Sequence, residues 1–169
     1  MSHAKNKLDW CLNKAEKELK ENQEHRGLVR IKPDKEKTAD YVNKAEHFLR
    51  ATIYLKEGNF SDISASTIFY AMYHSLLAIA MKFGYESHNQ ECTFALIAHF
   101  IEDGKIGFDQ NMLNKIATLG VEENTEETTV KIREKYQYGT KMKLEDDIYN
   151  QLLELAQQVI SKTKEIIEE

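Results

Sequence analysis

The sequence predicts an all-α protein: an antiparallel up-and-down helical bundle with an additional N-terminal helix. Three observations predict it. The chain of 169 residues holds one proline and seven glycines, the two residue types that helix interiors exclude and that turn-rich sheets consume. Apolar residues recur at helical spacing along most of its length. Capping residues stand where many of the apolar runs begin.

Leu8, Cys11, Leu12, Ala15 and Leu19 define a first helix over about residues 4–23. Residues 24–33 read as a loop that ends at Pro33. Asp34 caps a second helix, which carries Val42, Ala45, Leu49, Thr52 and Ile53 and stops near Gly58. Ser61 or Asp62 caps a third, which runs to Phe83 with Gly84 as its stop. Ser87 or Asn89 starts a fourth, bearing Cys92, Ala95, Leu96 and Phe100 and ended by Gly104. A short fifth helix spans about Asp109 to Leu119, and residues 120–128, with four glutamates, read as an acidic mobile loop. A further short helix leads to Tyr138 and Gly139, and the last begins near Leu144. The organisation is therefore an N-terminal helix and basic loop (1–33) followed by the bundle (34–169).

The net charge of -5 argues against a generally basic nucleic-acid binder. The stretch Arg26–Lys37 is a local exception, with five basic residues against Asp34 and Glu36. Cys11 and Cys92 are far apart and form no CxxC pair, so neither a disulfide nor a zinc site is expected, and a reducing cytoplasm fits. Residues 1–10 hold no apolar run of the kind a signal peptide needs. The stretch Ile63–Met81 has no charged residue. Its serines, tyrosines and His74 make it a buried helix rather than a membrane span. One of its faces carries Ala65, Phe69, Met72, Leu76, Ile79 and Phe83, and the opposite face carries Thr67, Tyr70, Ala71, His74 and Ala78. With no charge on either face, this helix lies at the centre of the bundle or is covered by a second subunit.

Phe69-Tyr-Ala-Met-Tyr-His74, with Ala45–Gly58 upstream and Phe83–Cys92 and Arg133–Gly139 downstream, resembles the HEPN family (higher eukaryotes and prokaryotes nucleotide-binding), in particular a prokaryotic, largely archaeal, subgroup. The resemblance covers about residues 35–168. It implies a dimerising bundle that binds nucleotide or RNA in a toxin–antitoxin or stress-defence setting, often beside a small nucleotidyltransferase. It also implies, for many members, a metal-independent ribonuclease that uses Arg, four to six residues, then His. None of Arg26, Arg30, Arg50 and Arg133 has a histidine at that distance, and Thr67 stands where related chains often carry arginine. Lys82 before His88 is the nearest substitute, and a lysine lacks the guanidinium fork.

The favoured expectation is a homodimeric nucleotide- or RNA-binding module with a composite cleft at His74. The alternatives are an endoribonuclease with a non-standard site and a purely structural dimer. Tyr70 and His74 supply one candidate cluster. Tyr85, Asn89 and Gln90 supply a second, at a helix N-terminus that suits an anion and where Glu86 would oppose that anion unless a cation is present. Arg133, Tyr136, Gln137 and Tyr138 supply a third, a phosphate partner with stackable rings. His74, His88 and Arg133 are the candidate catalytic groups of the nuclease alternative. No metal and no cofactor are expected: Glu-x-x-His spacing is absent, and His88 with Cys92 makes only two ligands.

Overall fold

The computed structural model describes residues 2–117 and 128–169, and over them the all-α bundle is present. The acidic loop expected at 120–128 lies outside the described residues except for Thr128. Helix α1 (His3–Lys20) starts where the Ser2 hydroxyl accepts from Lys5 N–H. Helix α2 (Lys35–Glu57) starts at Asp34, whose carboxylate accepts from Lys37 N–H at 2.9 Å. There follow α3 (Ser61–Lys82), α4 (Gln90–Glu102), α5 (Gln110–Ile116), α6 (Thr129–Tyr138) and α7 (Asp146–Glu168). Asn89, Asp109 and Thr128 cap α4, α5 and α6.

Two local expectations change. Neither Ser61 nor Asp62 caps α3, whose preceding residue is Phe60. Ser61 instead uses its hydroxyl to accept from Leu144 N–H at 3.0 Å, tying the start of α3 to the segment before α7. The stretches read as loops hold two short strands, β1 (Leu28–Arg30) and β2 (Tyr85–Ser87), paired antiparallel with Val29 opposite Glu86. Three residues carry too little alternation to be read as a strand from sequence. Gly84, at φ +77°, makes this pairing possible. A Cβ there would stand 2.7 Å from Ile31 O, and the Gly84 carbonyl itself accepts from Ile31 N–H at 2.9 Å.

Helix α3 is the centre of the bundle. It packs on α2, α4, α6 and α7, and Ile68, Phe69, Met72, Leu76 and Ile79 are fully buried. The protein's own helices therefore cover the first face and much of the second, on which Thr67, Tyr70 and His74 stay half-buried. Helix α3 is long and apolar enough to cross a membrane, but 72% of its apolar window is buried within the protein. Residues Ala4, Leu8 and Cys11 of α1 share one core with α3 and α4.

The cysteines overturn the sequence expectation. Cys11 and Cys92 form a disulfide with Cα atoms 5.8 Å apart. Their separation of 81 residues carries no pairing signal. The bond follows from α1 lying along α4 with the two thiols facing each other in the core.

Candidate functional site

His74 projects from α3 toward α2, among aromatic rings. Its centroid lies 5.2 Å from that of Phe48 and 6.1 Å from that of Tyr41, with Tyr70 and Tyr73 at 6.4 and 6.3 Å. Nδ1 lies 2.9 Å from the Tyr70 carbonyl. A carbonyl only accepts, so Nδ1 carries the proton and Nε2 of the neutral ring presents a lone pair. Burial, helped by the Lys44 ammonium, holds the His74 pKa below its ordinary value.

A group whose pKa is depressed by folding is protonated first in the unfolded chain, so acid favours unfolding. The melting temperature should therefore fall as pH drops through the ordinary histidine range, from about 7.5 to about 5. His74→Gln should flatten that slope, as read by thermal melts at each pH. An unchanged slope in the variant would remove His74 as its source.

Position 67 belongs to a hydroxyl network between α2 and α3. Thr67 and Thr52 hydroxyls hydrogen-bond at 2.7 Å; one donates to the other, and the acceptor of that bond donates in turn to its own backbone carbonyl, Ser64 O for Thr67 or Phe48 O for Thr52. The α2–α3 crossing is closed by a hydroxyl pair, so no guanidinium reaches the His74 cluster from this position.

Arg133, on α6, is only 9% exposed. Its guanidinium carbon sits 4.4 Å from the Phe69 ring centroid, a cation–π contact. Among the described residues its ion-pair contact is Glu134 at 3.8 Å, and its Nε is buried with no hydrogen-bond partner there. Phe69 in turn touches Tyr70 at 5.4 Å and stacks on Tyr73 at 5.8 Å. Rings therefore run without a break from Arg133 through Phe69 and Tyr70 to His74. The arrangement offers an under-partnered cation, an imidazole lone pair and aromatic faces.

The other candidates are placed as follows. Tyr136 is buried and packs in the core, whereas Gln137 and Tyr138 are exposed, Tyr138 by 79%. Tyr85 lies on β2 with its ring 5.8 Å from that of Phe100. The Asn89 side-chain oxygen Oδ1 accepts from Cys92 N–H at 3.0 Å, which leaves the side-chain amide N–H donors for a ligand. Gln90 opens α4 and is half-buried. Lys82 does not pair with His88; its ammonium donates to the Ile166 and Ile167 carbonyls at the end of α7. No hydrogen bond, ion pair or ring contact directly joins Tyr85, Asn89 or Gln90 to His74 or Arg133 among the described residues.

Sequence reasoning missed one grouping. His25, Glu86 and His88 converge at the β1–β2 pairing, with Lys37 on Glu86. Lys37, donating to one Glu86 oxygen at 2.9 Å, is the main reason the Glu86 pKa falls below the usual carboxylate value. The available signal was Glu86-x-His88, since i and i+2 share a side in extended chain; His25, 61 residues earlier, had none. Cys92, being in the disulfide, is not a ligand.

Two open clefts, of about 660 and 560 Å³, lie against α5, α6 and α7 and between α1 and β1. None of the sequence-derived candidates lines either. No protein-family model matches the chain, and no curated protein matches it.

Proposed function

We propose that the protein is a nucleotide- or RNA-binding module whose anion contact is Arg133. The observation that carries this reading is the Arg133 guanidinium, held on Phe69 with Glu134 at 3.8 Å as its ion-pair contact among the described residues. Its buried Nε is closed to a ligand, but the remaining guanidinium edge of a side chain 11% exposed suits a charge-assisted bond to a phosphate oxygen. Tyr138 is exposed five residues along α6 and supplies a face for a base. Half-buried His74 and Tyr70 then add a contact on the α2 side, joined to Arg133 through the buried Phe69 ring. On this reading the setting is a cytoplasmic toxin–antitoxin or stress-defence system of archaeal type. The partners are a small nucleotidyltransferase and a second copy of the chain. Exposed Ile53, Tyr54, Phe60 and Ile63 around the α2–α3 turn give apolar surface for such a partner. Cys11 and Cys92, being paired, lend the cytoplasmic setting no support; their complete burial protects only a bond already formed.

Fluorescence anisotropy with labelled single-stranded RNA tests it. Arg133→Ala should weaken binding by about 10–100-fold, the loss of one or two bonds to a charged group. Arg133→Lys should recover only part, because the fork is gone. Equal affinity for wild type and Arg133→Ala would refute the reading.

A second reading, a metal-independent endoribonuclease, is favoured by the free Nε2 lone pair of His74, which suits a general base. It expects RNA cleavage in EDTA that disappears in His74→Ala. RNA left intact by folded wild type would dismiss it.

A further inference from the structure

We propose that His25, Glu86 and His88 form a binding site for a divalent transition-metal ion of the zinc class. The site shares no residue with the Arg133 and His74 surface and stands independently of the function proposed for it. Nε2 of His25 lies 3.4 Å from Glu86 Oε1, and Nε2 of His88 lies 3.5 Å from the same oxygen. All three ligand atoms fall within 4.8 Å of one another. Ligand atoms around a tetrahedral zinc with bonds of 2.0–2.1 Å stand about 3.3 Å apart, so the cluster is already near the required size.

The hydrogen bonds around His88 say why a cation belongs there. Nδ1 of His88 lies 3.1 Å from the carbonyl of His25, so Nδ1 carries the proton and Nε2 of the neutral ring is a lone pair. That lone pair faces a carboxylate oxygen. Two acceptors in contact repel unless a positive charge sits between them. An N–H held by a backbone carbonyl is also the usual outer partner of a metal-bound imidazole. His25 is 8% exposed, and its Nδ1 is buried with no partner. Its Nε2 donates to Glu86 Oε1, so a metal ion binding there must displace that proton, to Nδ1 or to solvent. The two rings stack at 4.1 Å with only 8° between their planes. Protonating both would place two cations face to face, whereas one metal ion serves both nitrogens.

The remaining parts fit. The Glu86 oxygen not facing the histidines takes Lys37, which leaves Oε1 for the metal. The His88 side chain is 52% exposed, so its ring has room on the solvent side to turn about its Nδ1 bond to the His25 carbonyl, the turn that convergence of the two nitrogens on one ion requires. The same exposure leaves a coordination position open to water or a ligand. Three protein ligands with one open position is the pattern of reactive rather than purely structural zinc sites.

The test uses the full chain with its disulfide intact, stripped with EDTA and dialysed. Zn²⁺ alone is added and followed by calorimetry, and Co²⁺ alone is followed by its visible absorption. The expected result is one equivalent bound per chain at micromolar or tighter affinity, with broadened or shifted ring resonances for His25 and His88. His88→Gln and Glu86→Gln, both at accessible positions, should each weaken binding at least tenfold while leaving the circular dichroism spectrum unchanged. No uptake by wild type at about 1 mM zinc would overturn the proposal. So would uptake that both variants retain, or ring resonances that respond to pH but not to zinc, since the cation would then be a proton. Should a variant fail to fold, wild-type stoichiometry and ring resonances decide alone.

Discussion

Replacing Cys11 and Cys92 together by alanine should lower the melting temperature by about 5–15 °C, read by circular dichroism on wild type and variant side by side. The bond closes a loop across 81 residues. Loop-closure entropy puts the stabilisation of such a loop at up to about 4.5 kcal/mol, and native disulfides commonly deliver about 2–4 kcal/mol. For a chain of this size each kcal/mol shifts the midpoint by about 2–4 °C. Alanine is chosen because serine would bury two hydroxyls and add their own cost. Because both sulfurs are fully buried, a mild reductant should leave the folded protein oxidised and act only as the chain unfolds. An unchanged midpoint in the double variant would mean that the helices hold α1 on α4 without the bond.

Phe69→Ala should cost about 3–5 kcal/mol, the range for emptying a fully buried aromatic site. Phe69 is completely buried. Its ring is both core filling and the shelf on which Arg133 rests. The two roles separate in Phe69→Leu. A leucine fills much of the volume and should return most of the stability, but it has no face for the guanidinium. Chemical denaturation should therefore rank the variants wild type, leucine, alanine. RNA anisotropy should instead show leucine impaired despite its stability. Leucine binding RNA as tightly as wild type would separate the shelf from the anion contact.

The helical architecture was legible in the sequence because its determinants are local. Asp34, Asn89 and the run from Ile63 to Met81 announce helix starts and a buried centre without any knowledge of what they touch. Contacts between distant residues had no such signal. Ser61 looks like a cap from its neighbours, yet its hydroxyl serves Leu144, 83 residues away. The Cys11–Cys92 bond and the meeting of His25 with Glu86 depend on how α1 and β1 settle against α4 and β2. His74 stood out as a polar residue on an uncharged helix. Its free nitrogen, and the buried setting of Arg133, became visible only with the rings around them. Tyr136 and Tyr138 are indistinguishable as letters two apart, and one is core while the other faces water.

The crosslink between α1 and α4 also sets an order of events during synthesis. At about 5–20 residues per second, Cys92 leaves the peptidyl-transferase centre roughly 4–16 s after Cys11. Throughout that interval the first cysteine has no mate, and α1 lacks the helix it packs against. The α2–α3 pair, joined by a three-residue turn at 58–60, needs only near neighbours and can form first. The nascent chain therefore holds an unpaired thiol on an undocked amphipathic helix until α4 emerges, and any factor that seizes α1 must act within that window.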